Sequence, residues 1–182
     1  MSMQDDFPGY AVGTWVIDTA QSEAGFEIRQ FGFSKVRGSF TDFEGTIVTA
    51  ENPLDSSVNA VMKTASIDTK NKKRDEHLHH DDFLGAEQYP TITFSSTGLR
   101  VDGNDFFVDG DLTVRAITKQ VTLNLALDGI DVGAGAKGKP QARFTAYTEI
   151  DRTDYGVTCG MARAVISKPV KIILKIQADK RD

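Results

Sequence analysis

Residues 120–130, QVTLNLALDGI, and residues 169–177, PVKIILKIQ, decide how this chain folds. In the first stretch Val121, Leu123, Leu125 and Leu127 occupy every second position. In the second, Val170, Ile172, Leu174 and Ile176 do so against Lys171 and Lys175. A repeat of two residues is the geometry of a β-strand, whose side chains alternate between faces, so each stretch is a strand with one face to bury. Working outward, the same period recurs in TITFSS (91–96), NDFFVDGDLTVR (104–115) and ARFTAYTEI (142–150). Leu112 and Val114 face away from Asp109 and Asp111. Nearer the start, GTWVID puts Trp15 and Ile17 on one face, and SEAGFEIRQ sets Phe26 and Ile28 against Glu27 and Arg29. In SSVNAVMKTASID, Val58, Ala60 and Met62 alternate with Asn59, Val61 and Lys63, the Lys63 face being the solvated one. Within FTDFEGTIVTA the parity shifts after Phe40, which predicts a bulge or bend at Gly45.

The connections VDGND and VGAGAKGKP are rich in turn-forming residues and mark hairpins rather than helical crossovers, so neighbouring strands run antiparallel. One segment breaks the pattern. TKNKKRDEHLHHDDF (69–83) mixes charges at helical spacing and is expected to form a short surface helix, capped by Asn71 or Thr69 and pinned to the barrel by Leu78, Phe83 and Leu84. A second short turn or helix is expected around DRTDYGV. About eight strands with these interruptions close naturally into an all-β, extended antiparallel barrel, which leaves no sheet edge. A barrel of this size is either filled by its own side chains or holds one small ligand.

The chain's 182 residues, 40% hydrophobic, suit a single domain burying roughly 70% of its unfolded surface. The expected division is a flexible tail over residues 1–10 and one barrel domain over 11–182. A net charge of −5 with dispersed Lys and Arg gives no basic stripe to follow a phosphate backbone, so nucleic acid is not an expected partner. The opening MSMQDDFPGY carries acidic residues where a secretory signal has a basic region, and a cytoplasmic location is expected. No apolar run approaches the ~20 residues of a membrane-spanning helix. Cys159 stands alone, without a disulfide partner or a neighbouring base in sequence, and reads as a small packed side chain. The Gly-rich loop at residues 133–138 lacks the Lys-Ser or Lys-Thr pair of a phosphate cradle.

All three histidines, His77, His79 and His80, fall in RDEHLHHDD, so any histidine base must come from there. The bland reading is a solvated, capped surface segment. The sharper one is a metal on His77, His79 and Asp81 activating water for hydrolysis, although the His-Glu-His spacing of a metalloprotease helix is absent. Eleven phenylalanines against four tyrosines and one tryptophan point elsewhere. Phe26, Phe40, Phe43, Phe83, Phe94 and Phe144 come from different strands and from the end of the helix, so their inward members converge on one lumen, either as a packed core or as the lining of a pocket.

Four ordered motifs, GTWVIDTAQSEAGFEIRQFGFSKVRGSF (13–40), SIDTKNKKRDEHLHHDDFLGAEQYPTITFSST (66–97), GDLTVRAITKQVTLNL (110–125) and DRTDYGV (151–157), resemble the YceI-like family, polyisoprenoid-binding proteins with a lipocalin-like barrel. The likeness runs from about Val12 onward. Its central block carries Asp68, Thr69, Asn71, Arg74, Asp75, His77, Leu78, Phe83, Tyr89, Pro90, Phe94 and Ser96 in order. The sequence departs from the family pattern at Gln30, where a histidine is expected, and at Ala116, where a glycine commonly precedes the Thr118-Lys119 pair.

The resemblance implies an interior pocket for the tail of an isoprenoid quinone, polyprenyl chain or fatty-acid-like lipid; catalysis is not implied, and no metal or cofactor is expected. Taken with the alternation, it makes Phe26, Ile28, Phe40, Phe43, Val58, Met62, Phe94, Leu112, Val114, Leu123 and Phe144 the candidate ligand-binding residues, with Phe83 near the helix-side mouth. Transient membrane contact and a homodimer are compatible with such a carrier. The alternatives are the metal-dependent hydrolase and a stress-related interaction scaffold whose barrel holds no ligand.

Overall fold

The computed structural model describes residues 8–182 apart from Asn104; the expected N-terminal tail lies mostly outside these residues. Eleven strand segments form one sheet: β1 (Gly13–Ile17), β2 (Glu23–Gln30), β3 (Ser34–Phe40), β4 (Phe43–Thr49), β5 (Ser57–Lys63), β6 (Ile67–Asp68), β7 (Thr91–Asp102), β8 (Asp105–Val114), β9 (Ile117–Asp131), β10 (Gln141–Asp151) and β11 (Pro169–Lys180). The order β1-β4-β5-β7-β8-β9-β10-β11 closes on itself through β1–β11 pairing, giving an eight-stranded antiparallel barrel. A second tier, β2-β3-β6, continues the wall from the other half of β11. The long β11 serves both tiers: Ala178 to Lys180 pair with β1, and Lys171 to Lys175 pair with β2.

The tiers arise because two long strands break. Between β1 and β2, Asp18 caps a 3-10 turn by accepting from the Ala20 N–H at 3.1 Å, while Ser22 Oγ accepts from the Gln177 N–H at 2.9 Å. The extra residues bow out without losing the register on either side. Between β3 and β4 the break falls at Thr41-Asp42, which bond across to Ser66 and Lys63. The bend expected at Gly45 is therefore earlier. Gly45 lies inside a regular strand, and its missing side chain makes room for Ile17, whose Cδ1 would stand 2.5 Å from a methyl placed there.

The expected surface helix is α1 (Lys72–Leu78), and Asn71 caps it by accepting from the Arg74 N–H at 3.1 Å. It ends after two turns, short of the residue-83 limit of the charged segment. The chain then turns across the barrel end, held there by Arg115, which donates to the Asp81 and Phe83 carbonyls and lies over the Tyr89 ring at 5.1 Å. The DRTDYGV turn is a 3-10 helix at Arg152–Tyr155. Among the described residues no helix is long and apolar enough to cross a membrane.

Candidate functional site

The inward faces of the strands do not meet. Between them lie two cavities, one of about 310 Å³ in the tier that contains β2, β3 and β6, the upper, and one of about 260 Å³ in the tier that contains β1 and β4, the lower. Both are walled by Ala24, Met62, Leu112, Ile172 and Leu174, so they abut end to end at a waist formed by β2, β5, β8 and β11. At its outer end the upper cavity is lined by α1, by Phe83 and Leu84, and by the loop between β10 and β11.

Two glycines help to keep the middle hollow. Phe26 lies opposite Gly38 in the β2–β3 pairing, and its ring tip sits where a side chain at Gly38 would be: a methyl there would stand 2.5 Å from Cζ and 2.9 Å from Cε1. Phe94 occupies the corresponding space over Gly110 on β8. Each ring is laid against its neighbouring strand instead of projecting toward the axis. Phe26 also packs on Phe40 with ring centroids 5.8 Å apart.

All twelve candidate residues stand on a cavity wall. Phe26, Ile28, Phe40, Phe83 and Val114 line the upper cavity; Phe43, Val58, Phe94, Leu123 and Phe144 line the lower; Met62 and Leu112 are at the waist. Sequence reasoning missed Arg152 and Tyr155. Arg152 is buried at the upper cavity wall and donates to the carbonyls of Val157, Arg163, Ile166 and Ser167, which gathers the β10–β11 loop around one guanidinium. No sequence signal distinguishes such an inward arginine from a solvated one. Tyr155 is buried beside it, its hydroxyl has no protein hydrogen-bond partner among the described residues, and burial pushes its pKa up to about 12, so it stays protonated.

The polar groups around the upper cavity are mostly committed to structure. Thr69 donates through its backbone N–H and its hydroxyl to Asp75 and accepts from Arg74 Nε at 2.8 Å. On the outer face Glu27 is buried beside Arg37, whose Nε donates to it at 2.9 Å and holds its carboxyl below the ordinary range. Asp109 is likewise held low, chiefly by the two-pronged Arg100 guanidinium and then by the Thr122 hydroxyl at 2.6 Å. Cys159 is buried on the upper wall and burial pushes its thiol up, which makes it a poor nucleophile.

The grouping of His77, His79 and Asp81 expected of a hydrolase is not assembled, because α1 stops at Leu78 and the following turn splits the set. His77 faces the upper cavity and stacks edge-on against Phe83, whereas His79 contacts the Ala65 carbonyl and shares a shallow surface recess with Asp81. The side chains that do converge are His77, His80 and Asp82, with potential ligand atoms within 4.8 Å of one another.

With this geometry in view, the comparisons with known proteins are specific. The YceI-like domain model matches residues 15–178. Protein YceI of Escherichia coli O17:K52:H18 (strain UMN026) is 37% identical over 153 residues, covering 84% of this chain and 78% of that one. The crystal structure of Burkholderia cenocepacia BcnA superposes with a TM-score of 0.79 at 21% identity, covering 88% of this chain and 98% of that one. A polyisoprenoid binding domain from Saccharophagus degradans gives a TM-score of 0.70 at 16% identity over 94% of this chain and all of its own. At these identities the last two likenesses bear on the fold alone.

Proposed function

The chain belongs to the YceI-like family, and from that premise we propose that it binds and carries a long-chain amphiphile, an isoprenoid quinone, polyprenyl or fatty-acid-like lipid, without transforming it. The observation that carries this reading is the pair of apolar cavities meeting at a shared waist. Joined in line, they offer room for an extended tail. Burial at ~0.8 kcal/mol per methylene gives roughly 3 to 4 kcal/mol for each five-carbon isoprene unit leaving water, so few polar anchors are needed. A lipid that starts in a membrane gains little by moving between apolar surroundings, which makes exchange rather than tight retention the natural use of such a barrel. The Saccharophagus degradans domain, which shares this architecture, is named for polyisoprenoid binding.

Native mass spectrometry of protein purified without detergent tests the proposal: an added mass is expected, and organic extraction should remove it. Repeated absence of any adduct from gentle preparations refutes it. Phe94→Trp should shorten the longest tail accepted while the fold persists. A metal-dependent reading would have to use His77, His80 and Asp82; stoichiometric zinc or iron retained through dialysis would favour it over carriage alone.

A further inference from the structure

The end of the barrel at the upper cavity carries an apolar tip that the carrier reading does not use. The turn between β2 and β3 is Phe31-Gly32-Phe33, with Phe31 63% and Phe33 80% exposed, and Met161 in the β10–β11 loop is fully exposed. The two loops are laced together: the Phe31 N–H donates to the Val165 carbonyl at 2.8 Å, Gln30 pairs with Ile166, and the Arg29 N–H donates to Ser167 Oγ at 3.0 Å. Gln30, Ala162 and Ile166 of these same loops line the upper cavity, so the tip borders its outer end.

Phe31 is held at φ 54°, in the left-handed region that a bulky side chain rarely adopts. An aromatic residue kept both strained and in water has neither a packing nor a conformational reason to be there, which is the signature of a surface with a use. The charge of the two loops themselves is one-sided. From Arg29 to Phe40 the chain holds Arg29, Lys35 and Arg37 and no acidic residue; from Gly160 to Lys171 it holds Arg163, Lys168 and Lys171 and no acidic residue, in a chain whose net charge is −5. Carboxylates border the loops at four places: Glu27, which Arg37 engages, Asp82, which stands against Gly160, and Asp151 and Glu149, which pair across from Pro169 and Lys171 and offset Lys168 and Lys171, leaving Arg29, Lys35 and Arg163 as the cations of the tip.

We propose that this tip docks on the surface of a bilayer containing anionic lipid, with Phe31, Phe33 and Met161 entering the headgroup layer and Arg29, Lys35 and Arg163 meeting its negative charge. Apolar residues that insert, rimmed by cations that hold, are the combination that places a protein on a membrane rather than through it. Docked this way, the outer end of the upper cavity faces the lipid, and an amphiphile passes between bilayer and barrel with a short path through water. That purpose rests on the carrier reading; the docking itself does not.

Vesicle co-sedimentation tests it, using phosphatidylcholine alone and phosphatidylcholine with phosphatidylglycerol. The protein should bind the anionic vesicles more strongly, and added salt should weaken that preference. Phe31→Ser with Phe33→Ser should cost about tenfold in partition, as expected for losing even partial burial of two phenylalanines. Arg29→Gln, Lys35→Gln and Arg163→Gln should each cost about fivefold at low salt. Phe33→Trp should give a blue-shifted emission component on adding anionic vesicles, because the native Trp15 is already buried.

Binding of a fluorescent fatty acid without vesicles should be unchanged in every variant. If fatty-acid binding is absent while docking persists, the carrier reading fails and the docking surface stands. The docking proposal is overturned if neither vesicle binds the protein or if the double serine variant binds as well as the parent. It is equally overturned if sedimentation shows that the tip seals a dimer and vesicles leave it untouched.

Discussion

Adding one methyl group at Gly38 should measure how the lumen is kept open. In Gly38→Ala the new carbon would stand 2.5 Å from Phe26 Cζ and 2.9 Å from Cε1, with Thr69 Cγ2 also at 2.9 Å. Carbon pairs settle at about 3.5 to 4.0 Å, so the ring tip must retreat by roughly 1 Å or more. Phe40 already touches the ring, so the retreat goes largely into the upper cavity. Overpacking of this kind costs about 1 to 3 kcal/mol of stability, read as a lower urea midpoint with unchanged slope. A ligand denied the space of one methylene should lose about 0.8 kcal/mol, close to fourfold in affinity. The assay is displacement of a fluorescent fatty acid by acyl chains of increasing length, run on the parent, Gly38→Ala, Phe26→Leu and the double variant. Trimming Phe26 should relieve the alanine's effect, so the two changes should not add. Additive effects, or a Gly38→Ala protein matching its parent in stability and chain-length profile, would refute the idea that Phe26 is laid over Gly38.

Three further outcomes follow from individual residues. The β8–β9 turn holds Arg115 at φ 53° and Ala116 at φ 59°, so Ala116→Gly should stabilise the protein by about 1 kcal/mol in urea unfolding by relieving a left-handed non-glycine residue. Tyr155→Phe, which deletes a buried hydroxyl without a protein partner, should be neutral or stabilising by about 1 kcal/mol; a clear loss would mean that a bound water satisfies that hydroxyl. Asp109 has a depressed pKa when folded, chiefly through the Arg100 hydrogen bonds, so its contribution is present above the ordinary carboxylate pKa of about 3.9 and fades as pH falls below it. Asp109→Asn should accordingly be less stable than the parent near neutrality, with the gap narrowing on acidification.

The barrel was legible because alternation survives in strands as long as β9 and β11, and a two-residue period admits only one buried face. The charged helical run narrows its cap to Asn71 or Thr69, and Asn71 takes the role while Thr69 binds Asp75 and Arg74. Positions that depend on partners distant in sequence were not legible. The bend assigned to Gly45 lies at Thr41-Asp42, since parity shows that a shift occurs without saying which residue absorbs it. Gly45, Gly38 and Gly110 are explained only by the rings or chains facing them across the sheet, which requires register. Helical spacing carried past Leu78 predicts His77 with His79 and Asp81, but the chain turns there and brings His80 and Asp82 to His77 instead. Arg152 shows the same limit: four carbonyls from a loop that only the fold assembles account for its burial.

The waist gives the molecule a built-in gauge. The chain's single tryptophan, Trp15, belongs to the wall of the lower chamber and has no part in the upper one. Guests that stop short of Met62 should leave its emission as it was, while those that thread past should alter it. The length at which the native fluorescence first responds marks the depth of the upper chamber.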